Sequence, residues 1–277
     1  MLKTYKYKGE TWVDIDSGTS EEIHSVMDEY NIHPFVAKEL TALTPKSRVE
    51  FHDNYIYCII HFPAWKHTHG KDKNQEIDFI IGKDALITAR YDDIDALHKF
   101  GKELEVNEIL DKHHDRRYKH SHSIFMNMLR GLYTSLFEEL KYVEDRIEEI
   151  TSKIFKGLEK EMVVSISEVT RTLLDFKRVT DLHHEILEAI AHRGKGMFGE
   201  GFANEMQSII LDYMKINTTI KSHLDLLHEL RDTNNSLLTS KQNETVKKFT
   251  IIGSVLLVLS IIVTIIIFYK NLAWIYS

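Results

Sequence analysis

The stretch Thr250-Ile-Ile-Gly-Ser-Val-Leu-Leu-Val-Leu-Ser-Ile-Ile-Val-Thr-Ile-Ile-Ile-Phe268 carries no charge and no proline. As a helix rising 1.5 Å per residue it spans about 28 Å, close to the roughly 30 Å hydrocarbon core of a bilayer. Core helices of soluble proteins rarely run so long without a polar face, so a membrane span is expected. Lys241, Lys247 and Lys248 precede the run and only Lys270 follows it. The positive-inside rule then puts the N-terminal mass in the cytosol, with plasma-membrane lipid as the first expected partner. Tyr269, Trp274 and Tyr276 suit the aromatic belt of the far interface. Residues 269–277 are expected as a short extracytosolic tail, too few for a second span.

Working back from the span, the composition narrows the class. The formal charge of -7 argues against a nucleic-acid partner, which would select a basic surface. Cys58 is the only cysteine, so no internal disulfide is expected and a reducing compartment is the natural setting. Met1 to Gly9 is basic but has no apolar run behind it, so no signal peptide is expected. All three prolines, Pro34, Pro45 and Pro63, lie in the first quarter, and after Gly101 the glycines are sparse outside one cluster, His192 to Phe202. This punctuation divides the chain into a mixed first part and a nearly all-helical remainder.

In the first part, Thr11–Asp16 alternates as a strand, and Ser20 opens a helix toward Tyr30 with Thr19 or Ser20 as its cap. Pro34 begins a second short helix through about Leu43. Tyr55–Phe62, Glu76–Gly82 and Ala85–Tyr91 are rich in β-branched and aromatic residues and read as strands; Ile94 to Leu104 reads as a helix. The second part is helical in period. Ile124, Met128, Leu132, Leu136, Leu140, Val143, Ile147, Ile150 and Ile154 step by three and four along one stripe, which Gly157 interrupts. Met162 to about Ala191 is predicted as a second helix, the glycine cluster as the turn, and Ala203 to Phe268 as a third helix about 99 Å long.

That third helix carries a polar line. Asp232, Ser236, Thr239, Asn243, Thr250, Ser254, Leu257 and Thr264 stay within about 40° of one face at the helical step. Polar groups in a membrane helix face a bundle interior or an aqueous cavity; the alternative is that serine and threonine hydroxyls bond their own backbone. A bundle of such helices would turn this line, with Asn243 on it, toward its interior.

Other candidates read as solvated. His113, His114, His120 and His122, and the pair His183-His184, have no cysteine or carboxylate pattern to complete a zinc site, and linker residues are expected. Arg116, Arg117 and Lys119 read as a solvated helix entry. No phosphate loop, Gly-X-Ser-X-Gly elbow or His-Glu-X-X-His motif occurs, and no enzyme is expected.

Several segments together resemble the CorA-type magnesium and divalent-cation transporters: Trp12-Val-Asp-Ile-Asp16, Tyr30-Asn-Ile-His-Pro34, Tyr55-Ile-Tyr-Cys-Ile-Ile-His-Phe62, Asp78-Phe-Ile-Ile-Gly82, Leu86-Ile-Thr-Ala-Arg90, Glu144-Asp-Arg-Ile147, Leu174-Asp-Phe-Lys-Arg178 and Gln242-Asn-Glu-Thr-Val-Lys-Lys-Phe-Thr-Ile-Ile252. The resemblance implies an α+β chain. Its expected parts are an αβα cytosolic domain over residues 1–117, a stalk of three long helices over 118–249, the span at 250–268 and the tail at 269–277. It also implies five subunits around a passive pore for Mg²⁺, Co²⁺ or another divalent cation. Asn243 and Asp232 match the family's pore positions, and Leu257 takes the place of a hydrophobic constriction. The family's Gly-Met-Asn, aligned without gaps, falls on Ile267, Phe268 and Tyr269, and the second membrane helix has no counterpart. The family's metal-sensing stalk acid falls near Ser208, leaving Asp212 one turn away. Asp92, with Asp93 and Asp95, is the candidate on the other side of that metal site, a solvated acidic loop being the alternative. A non-conducting, single-span regulatory or binding subunit is the second functional reading.

Overall fold

The structure is a computed structural model that describes residues 1–7, 10–64, 74–110 and 121–275. It separates into two compact units, one of Met1–Glu148 with Glu168–Leu226 and one of Glu149–Ser167 with Leu227–Ser277.

The first unit is built on a six-stranded sheet: β1 (Leu2–Tyr7), β2 (Glu10–Asp16), β3 (Arg48–Phe51), β4 (Tyr55–Pro63), β5 (Asn74–Gly82) and β6 (Ala85–Arg90). The order across it is β1-β2-β6-β5-β4-β3, with β2 and β6 parallel and every other pair antiparallel. The central strands are buried on both faces, which is why they read as continuous apolar runs. Helices α1 (Ser20–Glu29) and α2 (Pro34–Glu39) cover one face: Ile23, Val26, Met27, Val36 and Ala37 pack with Val13, Ile15, Tyr57, Ile59, Ile80 and Ile87. The opposite face meets α3 (Asp95–Leu110), α4 (Ser121–Phe155) and α6 (His183–Phe198) through aromatic edges. Trp12 lies against Phe100, Phe79 against Phe125, and Phe62 against both Tyr133 and His183.

The parallel β2–β6 pairing, between strands too far apart in sequence for a hairpin turn to set, is pinned by a buried polar chain. Trp12 Nε1 donates to Thr88 Oγ1 at 2.9 Å, and Thr88 Oγ1 donates to Asp14 Oδ1 at 2.8 Å. Arg90 Nη2 then donates to Asp14 Oδ2 at 3.2 Å. A slip of one residue would break every link and turn Asp14 and Arg90 toward the other layer.

Local chemistry explains the elements that match expectation. Thr19 caps α1 in a full capping box with Glu22, whose carboxylate accepts the Thr19 N–H at 3.0 Å. The nine apolar positions of the α4 stripe, from Ile124 to Ile154, are all buried. Helix α4 ends in a Schellman turn: Leu158 N donates to Lys153 O and Gly157 N to Ile154 O, with Gly157 at φ 92°.

The structure departs from expectation in five places. Edge strands β1 and β3 are additions to the expected sheet; they lack the apolar signal of the central strands. Helix α2 stops at Glu39 rather than near Leu43, with the Thr41 hydroxyl bonded back to Lys38 O. The helix expected over Met162–Ala191 is two, α5 (Glu159–Thr180) and α6. The Thr180 hydroxyl bonds back to Phe176 O where α5 ends, and His183, expected in solvent, is fully buried. Its Nδ1 meets the Tyr133 hydroxyl at 3.0 Å and its Nε2 the His61 carbonyl at 2.9 Å. Finally, the glycine cluster is not one turn. Helix α6 runs through Gly194 and Gly196, and the reversal is confined to Gly199 at φ 92°, after which α7 (Glu200–Ile275) begins. A Cβ on Gly194 would stand 2.3 Å from the Phe202 ring, so this glycine lets α6 and α7 approach. His113, His114, His120, Arg116, Arg117, Lys119 and Tyr276 lie outside the described residues; His122 rests against Phe198 and Phe202.

Two measurements follow. Gly194→Val is expected to cost about 1–3 kcal/mol by overpacking, read as a lower melting temperature in detergent. Burial pushes the His183 imidazole down to about 4. Because the folded value lies below the unfolded one, stability is complete above the ordinary histidine value near 6.5. It drains as pH falls toward 4. The melting temperature of the wild type should decline over that window, and His183→Gln should flatten the decline.

Candidate functional site

In the second unit, the last part of α7 has two different faces. Leu227, Leu230 and Asn234 are buried, whereas Asp232, Ser236, Thr239 and Asn243 are exposed. At about 100° per residue, Asn234 lies roughly 180° from Asn243 and Lys241 roughly 160° from it. The side of α7 opposite the polar line is the one held by its own chain. Asn234 Nδ2 donates to the Glu159 carbonyl at 3.0 Å, and Lys241 Nζ reaches Glu159 Oε2 at 2.6 Å and Gly157 O at 3.2 Å. The polar side, along Asn235, Ser236, Thr239, Ser240, Asn243, Glu244 and Lys247, is an open shallow groove.

The hydroxyls of this line turn to the backbone. Ser236 donates to Asp232 O, Thr239 to Asn235 O, Thr250 to Val246 O, Ser254 to Thr250 O and Thr264 to Ser260 O, at 2.8 to 2.9 Å. This is the bonding pattern foreseen as the alternative to a pore face, and it is compatible with either, since each oxygen keeps lone pairs for a second partner. The Asn243 side chain is exposed, as is Leu257.

Among the described residues, α7 is the one helix long and apolar enough to cross a membrane. Its most apolar stretch is not buried within the chain at all. An unpartnered apolar surface from Ile251 to Ile267 is what lipid or further helices would cover.

The two acids expected at a regulatory metal site lie in the first unit and are both engaged locally. Asp212 pairs with Lys215 at 3.0 Å, and Asp92 Oδ1 accepts the Asp93 N–H at 2.8 Å beside Arg90, which donates to the Asp92 carbonyl. Among the described residues no group of three or more His, Cys, Asp or Glu side chains is placed to hold a metal ion. Sequence reading missed Glu159, Asn234 and Lys241. Their signal was present: Asn234 and Lys241 are seven residues apart and out of phase with the polar line, and Glu159 directly follows the helix-ending Gly157-Leu158.

The described residues thus combine an α/β unit with a long helix that includes a candidate membrane span, and the family that shares this plan is one of ion transporters rather than enzymes. The chain belongs to the CorA-like Mg2+ transporter protein family, whose family model matches residues 7–266. It is 19% identical over 253 residues to the cobalt/magnesium transport protein CorA of Thermotoga maritima, covering 91% of this chain and 71% of that one. Its fold is that of the CorA magnesium transporter of Methanocaldococcus jannaschii, with a TM-score of 0.74 at 17% identity over 89% of this chain and 75% of that one. The full-length CmaX protein shares it too, with a TM-score of 0.76 at 12% identity over 91% and 76% of the two chains.

Proposed function

We propose that this chain conducts divalent cations, Mg²⁺ first among them, passively through a homo-oligomeric pore lined by the polar face of α7. The observation that carries the reading is the two-sidedness of α7. The face opposite Asn243 is occupied by the chain's own Glu159 and Gly157, and the face bearing Asp232, Ser236, Thr239 and Asn243 is left bare. Rotational symmetry about an axis beside that face gathers one Asn243 from each copy into a ring. Five copies, with the N-terminal unit in the cytosol at the plasma membrane, fit the family reading. Amide oxygens offer second-shell bonds to the waters of a hydrated cation, so the ion need not shed them to pass. Thr250 and Thr264 continue that lining into the span, and Leu257 places a hydrophobic collar between them.

Conduction is tested by Mg²⁺ influx into vesicles carrying the purified full chain and a Mg²⁺-sensitive dye. Influx above that of empty vesicles is expected. Asn243→Ala should change its rate, or the ratio of Mg²⁺ to Co²⁺ rates, by roughly threefold or more. Absence of influx from correctly assembled protein would sink the reading, and an unchanged Asn243→Ala would remove that residue from the path.

The regulatory-ion component rests on Asp92 and Asp212, which would need ligands from a neighbouring copy to complete an oxygen shell. Millimolar Mg²⁺ should then raise the melting temperature of the wild type, and Asp92→Asn or Asp212→Asn should shrink that rise. A rise of the same size in both variants would exclude the two acids.

A further inference from the structure

The turn between α4 and α5 does more than reverse the chain. Glu159, the first residue of α5, has a side chain only 5% exposed, and its carboxylate is 2.6 Å from Lys241 Nζ. The bond to Lys241 holds that carboxyl below the usual glutamate range. The same ammonium donates to Gly157 O, and Asn234, 1% exposed, donates to Glu159 O. Two residues of α7, two turns apart and within about 20° of one line, are thus tied to two residues of one turn, Gly157 and Glu159. Gly157 takes the left-handed conformation at φ 92°, which L side chains rarely adopt, and presents its carbonyl to the ammonium.

This geometry differs in kind from apolar packing. An apolar stripe such as Leu227 and Leu230 tolerates a roll of several degrees with little loss, because dispersion contacts are not directional. Hydrogen bonds to a carboxylate and two carbonyls are directional, and the charge-assisted one is the strongest of the set. They fix both the rotation of α7 about its axis and its height along it. Asn243 lies two residues beyond Lys241 on nearly the opposite side, so whatever fixes Lys241 aims Asn243.

We infer that the Gly157–Glu159 turn is a rotational stop for α7, with Glu159, Asn234 and Lys241 as positioning residues that keep the Asn243 face turned away from the α4–α5 hairpin. The consequence for ion flow rests on the conduction proposed above; the stop itself does not. It also takes one cation out of the lysine group Lys241, Lys247 and Lys248 near the start of the span, so a cation approaching Asn243 meets less positive charge.

The test uses the full chain with nitroxide labels at Lys156→Cys and Glu244→Cys. Cys58 is fully buried and stays unlabelled. Labelled chain is diluted into unlabelled chain so that only distances within one copy are read by pulsed electron resonance. A single narrow distance is expected in the parent. Glu159→Gln and Lys241→Met should each broaden or shift it, and Lys241→Arg, which retains the charged donor, should keep it. In vesicles of phosphatidylethanolamine and phosphatidylglycerol, the first two variants should change maximal Mg²⁺ influx about threefold or more, and Lys241→Arg should not. A distance unchanged by both Glu159→Gln and Lys241→Met overturns the stop, whatever the influx. Broadening without any change in influx severs the stop from ion flow. Broadening in a chain whose parent conducts nothing keeps the stop and sinks the conduction reading instead.

Discussion

Helix α7 closes its own backbone hydrogen bonds over 76 residues, and the way it presents its side chains follows from that self-sufficiency. A peptide group in hydrocarbon has no water to turn to, so only a helix or a closed barrel can enter a bilayer. Having satisfied its main chain internally, α7 can present quite different side chains to quite different surroundings. Between Phe202 and Leu226 it contributes buried residues such as Met206, Ile209, Ile210 and Ile216 to the first unit. From Ile251 to Ile267 it presents apolar side chains with nothing from its own chain against them. The stretch between, from Leu227 to Lys248, is where side chains on one face are held and those on the other are not.

The sheet answers a different problem with different means. Its parallel β2–β6 pair joins strands separated by most of the α/β region, and no short turn can set their register. Hydrophobic burial alone would accept several alignments. The buried Trp12–Thr88–Asp14–Arg90 chain accepts one, since an unpaired Arg90 or Asp14 in that interior would be costly. A polar chain in the sheet and a polar clamp on α7 thus serve the same end: specificity of alignment where apolar contacts are indifferent.

Legibility in the sequence tracked how local the determinants are. The α4 stripe, the Thr19–Glu22 box and the Gly157 stop are written within a few residues of where they act, and each stands where expected. The strands buried on both faces announced themselves by β-branched density. What escaped was set by distant partners. The break after Thr180 depends on His183 being drawn between Tyr133 and His61, residues 50 and 122 positions away. The passage of α6 through two glycines depends on the Phe202 ring filling the space that a side chain at Gly194 would need. The polar line of α7 was visible from spacing, but its outward aim was not, because Glu159 and Asn234 meet across 75 positions.

The back-bonded hydroxyls of α7 have a consequence for sign. Each of Ser236, Thr239, Thr250, Ser254 and Thr264 spends its one proton on a carbonyl of the preceding turn. What remains on the outer side of each oxygen is lone-pair density, with no hydrogen left to give. The back-bonded hydroxyls of the span, Thr250, Ser254 and Thr264, thus present acceptors, the complement of the water protons that a hydrated cation shows. In the pore proposed above, the hydroxyls of the span would therefore favour cation over anion without a charged side chain.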